Sequence, residues 1–363
     1  MIPGAIQARE ELMAATTHVY AGAARSMEGT FGGIFRQAVG DDRWEHLTNG
    51  LPEETEVHAI TVHPENADVV YIGTTKGTFR SSNRGSRWEK LNLPDKDADI
   101  WSVCVHPKNP RILYAGATPP VVYRSEDVGD TWRKMADPGL PHDRVIMAFP
   151  CRVMRLAVDP NSPDDVYATL EANGMMRSRN RGETWEDITA DLIRFCEEPK
   201  YRSRIGSQTE IEGMLDGHAL AVSAAAAGTV FLANRMGLFR SDDRGETWKD
   251  MEIGRFSPLT YGRDIRVSPH DPKVMYACLS PAARSTDGAI YRTEDVGETW
   301  KRFDHGVKAD ATMMAVAVHP RDPNQVYGVS RFGQVFGTQD GGRTWHEHRL
   351  PEGARDLYAV ACG

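Results

Sequence analysis

Seven residues of unlike chemistry occupy one repeated position in this chain. His58, Trp101, Met154, His218, Arg263, Met314 and Asp356 each stand four residues before a valine in a short apolar run (Val62, Val105, Val158, Val222, Val267, Val318 and Val360). Close beside them come Glu56, Asp99, Arg152, Arg155, Asp216, Tyr261, Asp264 and Arg355. Guanidinium forks match carboxylates and phosphates bidentately, so Arg152, Arg155, Arg263 and Arg355 form a candidate anion clamp. His58 or His218 can act as general base near neutral pH. With neighbouring carboxylates the same histidines can instead hold a divalent metal, leaving a position open for water or substrate. Glycoside hydrolysis needs two carboxyls about 5–9 Å apart, and Glu171, Asp216 and Asp264 are the candidates. Trp101 reads either as a stacking platform or as core. Tyr261 and Arg235 complete the expected ligand-binding set.

These residues need elements to bring them together, and the chain announces those elements by repetition. Seven of the eight tryptophans, Trp44, Trp88, Trp132, Trp185, Trp248, Trp300 and Trp345, recur at intervals of 44–63 residues. Trp101 is the one outside the series. A period of that length means one supersecondary unit used many times. Each unit opens with an apolar strand, such as Ala59-Ile60-Thr61-Val62, that ends in a turn. A second strand follows, such as Val70-Tyr71-Ile72-Gly73 or Leu113-Tyr114-Ala115-Gly116. A third carries an aromatic residue or Met and then Arg, as in Phe79-Arg80, Tyr123-Arg124 and Met176-Arg177. The fourth begins at the Trp. Short β-rich runs split by Gly, Asn, Asp and Pro are strand and hairpin signals.

The expected fold is therefore all-β: a single seven-bladed β-propeller over residues 1–363, with four-stranded antiparallel blades. The first blade is shared between 18–48 and 355–363, because the N-terminal unit lacks a first strand and the C-terminal tail supplies one. Pairing of the two ends closes the ring and removes an open inner edge. Insertions at 138–152 and 188–217 stretch two repeats, and Ala190 to Cys196 reads as a short helix. Insertions between repeats fall on loops, often on the binding face.

Strand connectivity sorts the loops onto two faces. The turns after the first and third strands share one face, with His63, His106 and His319 as turn residues. The other face gathers the starts of the first strands and the second-to-third-strand loops, which add Arg25, Glu28, Lys76, Glu171, Asn234, Arg235, Arg284, Asp287 and Arg331. That second face is the mouth of the central channel. A concave place with convergent polar groups is where a ligand is expected.

Six tryptophans close the phrase Ser/Thr-x-Asp/Asn-x-Gly-x-Thr/Arg-Trp, as in Ser125-Glu126-Asp127-Val128-Gly129-Asp130-Thr131-Trp132 and Ser241-Asp242-Asp243-Arg244-Gly245-Glu246-Thr247-Trp248. The Asx side chain can bond backbone N–H groups of its own turn, and Gly supplies positive φ. A group repeated in every blade shapes a turn; it does not catalyse. The first copy, ending in Trp44, lacks the Asp at that position. These phrases resemble the Asp-box, or BNR, repeat, and the resemblance covers nearly the whole chain. It implies kinship with sialidases, xyloglucan-active glycoside hydrolases, sortilin-type receptors and photosystem II assembly factors. Seven units stand here where sialidases have six blades. One propeller stands where the xyloglucan enzymes work in a cleft between two. The targeting and membrane segments of the receptors and many assembly factors are not read in the sequence. Fold membership does not settle function.

The bulk numbers narrow the classes further. Of the 363 residues, 26% are charged and the formal net charge is −8 with no basic stripe, so nucleic acid is an unexpected partner. No apolar run approaches the roughly 18–20 residues of a membrane span. Met1 to Tyr20 carries Arg9, Glu10 and Glu11 where a signal peptide would need an apolar stretch. The five cysteines are odd in number and scattered, as expected for free thiols in a reducing cytoplasm. The sequence thus points to a cytoplasmic propeller that binds a small anionic or polar ligand at the channel mouth. The expected chemistry is that of a hydrolase or lyase through His58 or His218. The competing expectation is a non-enzymatic scaffold or assembly factor that docks a protein.

Overall fold

The computed structural model describes residues 16–24, 30–137, 144–145, 147 and 149–363. Arg25, Glu28 and part of the expected 138–152 insertion lie outside the described residues. Seven separate four-stranded antiparallel sheets form the blades. The inner strands of blades two to seven are Val57–Val62, Asp99–Val105, Val153–Val158, Gly217–Val222, Tyr261–Val267 and Met313–Val318. In the first blade the inner strand is the C-terminal Leu357–Cys362, which pairs with His18–Ala23. The order of that sheet is therefore last strand, first, second, third, and the ring closes through it.

The sequence dictates each blade locally. Second strands such as Val70–Thr74 are buried along their whole length between neighbouring sheets, and are correspondingly rich in Val, Tyr and Ile. Gly73 and Gly116 in these strands face the next inner strand. A Cβ at either would approach Ile100 Cγ2 to 2.7 Å or Val153 Cγ1 to 2.4 Å. Hydrophobic cores fill the spaces between blades, for example Tyr71, Leu91, Ile100, Leu113 and Tyr123 between the second and third.

The Asp-box turn does two structural jobs. Ser125 Oγ donates to Asp127 Oδ1 (2.8 Å) and accepts from Gly129 N–H (2.9 Å). Asp127 in turn accepts from Thr131 N–H at 2.9 Å and Thr131 Oγ1 at 2.6 Å. The bend places two consecutive residues at positive φ, Val128 at 58° and Gly129 at 96°. This geometry turns the Val128 carbonyl outward, where it accepts from Arg80 Nη1 of the preceding blade (3.1 Å) and from Tyr71 Oη (3.0 Å). The same latch recurs from Arg36 to the Arg84 carbonyl (2.6 Å), Arg124 to Arg181 (2.9 Å), Arg177 to Arg244 (2.8 Å) and Arg240 to Val296 (3.3 Å). The arginine that follows the aromatic or Met of the third strand is thus an inter-blade fastener.

The 188–217 segment contains a helix at Ala190–Phe195 and a single turn at Glu212–Leu215. Its buried Glu212 accepts from the N–H groups of Ile205, Gly206 and Ser207, which ties down a loop that the chain would otherwise leave free. Among the described residues, no helix is long and apolar enough to cross a membrane.

Candidate functional site at the channel mouth

Every inner strand carries a β-bulge near its start, and the bulged residue is the one at the mouth. The register skips His58 between Val57 and Ala59, Trp101 between Ile100 and Ser102, and Met154 between Val153 and Arg155. It likewise skips His218, Arg263, Met314 and Tyr358. A bulge leaves its extra residue unpaired and re-aims the side chain. These seven bulge residues, with Arg155, line a pocket on the channel axis. Its free volume of about 20 Å³ is room for one water-sized group.

In the first blade this position belongs to Tyr358, two residues beyond the expected Asp356. Ala359 pairs with Gly22 as Ala59 pairs with Gly73. Counting back from Val360 was therefore out of step, and Cys362 is the true equivalent of Val62. As a result Arg355 lies outside the pocket, exposed, with its guanidinium 5.7 Å from the Phe332 ring. Asp356 instead pairs with Arg331 at 3.0 Å.

His58 is buried between two carboxylates. Its Nδ1 lies 3.1 Å from Asp99 Oδ1, at ion-pair distance though misaligned for a hydrogen bond, and its Nε2 lies 3.7 Å from Glu56. Burial opposes charge on the ring, but Asp99 and Glu56 outweigh it and raise the pKa. The ring stacks on Trp101 with centroids 3.7 Å apart. The Arg152 guanidinium sits 4.1 Å from the same indole and 4.7 Å from Phe149. Trp101, only 7% exposed, is therefore flanked by His58 and Arg152 and offers no open platform. Arg152 also meets Glu171 at 2.8 Å. Burial pushes the Glu171 carboxyl up to about 7, with Arg152 resisting and Asp216 adding to the rise.

His218 is held differently. Its Nδ1 lies 2.7 Å from the Gly262 carbonyl, which fixes the proton on that nitrogen, and its Nε2 lies 3.2 Å from Tyr261 Oη. Burial lowers its pKa and Arg263 reinforces this, against the pull of Asp216 at 3.3 Å. Asp216 is held well below the carboxylate range: burial would raise it, but His218 and Arg235 act the other way. A charged His218 would help depress Asp216, yet complete burial beside Arg263 keeps that ring neutral. Arg235, bonding Asp216 through Nε (3.0 Å) and Nη2 (2.6 Å), is therefore the partner that holds the carboxylate ionised.

Asp264 is fully engaged. Oδ1 accepts from Arg155 and from Ile265 N–H, and Oδ2 from Arg266 and Val316 N–H, all at 3.1 Å. It is placed as a clamp in the channel wall, not as an open carboxylate. Arg263 is the opposite case. It is 9% exposed and has no hydrogen bond or ion pair with any described residue; its guanidinium lies 5.7 Å from the Tyr358 ring. Burial works against its charge, but the surrounding Tyr261, Tyr358, Glu171 and Asp216 raise its pKa, so it remains a cation. Among the described residues, no three His, Cys, Asp or Glu side chains converge as a metal site. His58 and His218 belong to blades two and five, each with its own carboxylates.

Comparison with known proteins places the architecture. A family model described as the BNR-Asp box repeat matches residues 238–251. The xyloglucanase Xgh74A of Acetivibrio thermocellus is 25% identical over 146 residues, 39% of this chain and 16% of that protein. The crystal structure of a GH74 xyloglucanase from Xanthomonas campestris superposes with a TM-score of 0.64 at 18% identity, covering 96% of this chain and 52% of that one. YCF48 from Cyanidioschyzon merolae aligns with a TM-score of 0.55 at 17% identity, covering 85% of this chain and 90% of that chain. This chain thus spans about half of the Xanthomonas structure and matches a small part of the curated xyloglucanase, while its size is close to that of the YCF48 structure. Six Asp-box turns, seven four-stranded blades and these likenesses agree: the chain carries the BNR-Asp box repeat and folds as a seven-bladed β-propeller.

Proposed function

We propose that the channel mouth binds a small anion, a carboxylate or a phosphate ester, with Arg263 as its principal contact. The observation that carries this reading is the unpaired Arg263. A buried cation without a partner is costly, and an anionic ligand removes the cost by completing the pair. Arg155 lies beside it with Nε unsatisfied. The free volume is water-sized, so one oxygen of the ligand enters beside Arg263 and the rest of it lies on the rim near Arg152 and Phe149.

Titration calorimetry with acetate, glucuronate, sulfate and phosphate tests this. One of them should bind, and Arg263→Gln should weaken it at least tenfold. Equal binding by wild type and variant, or no binding to wild type, removes the proposal.

Hydrolysis or elimination is the finer form of the reading. It is supported by Glu171, which keeps its proton to about pH 7 beside an ionised Asp216. Carboxyls pushed apart in this way divide acid and base roles. His218 has both ring nitrogens bonded and His58 is held between Asp99 and Glu56, so in this reading Glu171 takes the acid role and the histidines hold the frame. Glu171→Gln should abolish turnover of a carboxylated glycoside, or of xyloglucan oligosaccharides, while binding persists. The scaffold reading rests on the 188–217 insertion, where Ile205 is 72% exposed. Activity that survives Arg263→Gln but is lost on deleting 203–210 favours it. The five cysteines are all unpaired, which suits the cytoplasm we propose as the location.

A further inference from the structure

The channel has a second end, and its chemistry is not that of the mouth. Beyond Asp264 the inner strands of blades one, two, six and seven present Cys362, Val62, Val267 and Val318. A cavity of about 250 Å³ opens there, walled by Ile60, Val62, Val267, Val318 and Val360. One charged side chain enters it, Arg266. Arg266 spends its Nε on Asp264 at 3.1 Å, and its two terminal nitrogens have no partner among the described residues. Asp264 is already shared with Arg155. Arg155 and Arg266 therefore share one carboxylate, and the outer nitrogens of Arg266 face the vestibule.

We propose that this opposite vestibule is a second ligand site, for a small carboxylate with an apolar body, such as a short fatty acid or an aromatic acid. The carboxylate completes the Arg266 fork, and the hydrocarbon replaces water against Val62, Val267 and Val318. A purely apolar ligand would leave the fork unpaired, and a bare anion would leave the valines wet. The site does not depend on ligand binding at the mouth, from which the Arg155–Asp264 pair separates it.

Octanoate is the probe, with octanol and acetate as controls, followed by calorimetry on the full chain. Octanoate should bind at least tenfold more tightly than either control. Arg266→Gln and Val318→Phe should each weaken it tenfold or more, and Arg263→Gln should leave it unchanged. If Arg266→Gln does not fold, the cavity-filling Val318→Phe decides. Octanol binding as tightly as octanoate, octanoate binding unaffected by Val318→Phe, or loss in Arg263→Gln alone would each overturn the assignment. The last result would place the ligand at the mouth.

Discussion

Arg155 reaches across the channel to Asp264, joining the fourth blade to the sixth at 3.1 Å over the inner strand of the fifth. The equivalent positions in the other blades are Ala59, Ser102, Ala219, Ala315 and Ala359. A ring of small residues would leave the axis open, and this one pair closes it. Burial, with Arg266 and Arg263 nearby, brings the Arg155 guanidinium down to about 10 even though Asp264 resists. It remains charged at neutral pH. Removing one partner of a buried pair strands the other, at a cost of about 3–5 kcal/mol. Asp264→Ala should lose about that much stability in urea unfolding. Arg155→Met, which leaves Asp264 its other three donors, should cost clearly less.

Glu171 gives the mouth a pH dependence with a definite sign. Its pKa is about 7 in the folded protein against an ordinary 4.5. The folded state therefore holds the proton more tightly than the unfolded chain. Its contribution is fully present below pH 4.5 and is lost as pH rises through 7, about 3 kcal/mol in all. Thermal unfolding should show Glu171→Gln gaining on wild type between pH 5 and pH 8. A constant difference would mean that the carboxyl is not raised.

The latch arginines differ from blade to blade, and their variants should differ too. Arg177 is 2% exposed and meets the Arg244 carbonyl, Glu186 and Glu246. Arg292 bonds Glu294 in the turn just after its own strand, with no next-blade carbonyl bonded among the described residues. Hydrogen bonds to charged groups contribute about 1.5–3 kcal/mol. Arg177→Met should lower stability by at least that much, and Arg292→Met by roughly 1 kcal/mol or less. Chemical denaturation of the two variants side by side is the check.

Val128 holds φ at 58°, a region that disfavours a β-branched side chain by about 1–2 kcal/mol. The preceding Asp127 fixes the bend through Ser125 and Thr131, so the bend does not depend on the valine. Val128→Asn, a residue that tolerates this conformation, should raise stability by about 0.5–1 kcal/mol. A lower melting temperature would show that the half-buried valine packs better than it bends.

The sequence by itself determined the architecture. A repeated phrase, alternating apolar strands and an orphan first strand at the C-terminus are local signals, and they carried the blade count, the strand order and the closure. They also brought out six of the seven mouth residues, because each stands at a constant distance from a valine. The tertiary structure decided the rest. A bulge exists only when a strand pairs with its neighbour, so neither the seven bulges nor the two-residue slip at Tyr358 could be read along one strand. With a side-chain period of two, Asp356 and Tyr358 both fit the pattern; the pairing of Ala359 with Gly22 chose between them. Contacts across the channel join residues about a hundred positions apart, as Arg155 and Asp264 are. Only the closed ring could show that Trp101 is covered on both faces, that each histidine is held by its own carboxylates, and that Arg263 has no ion pair among the described residues.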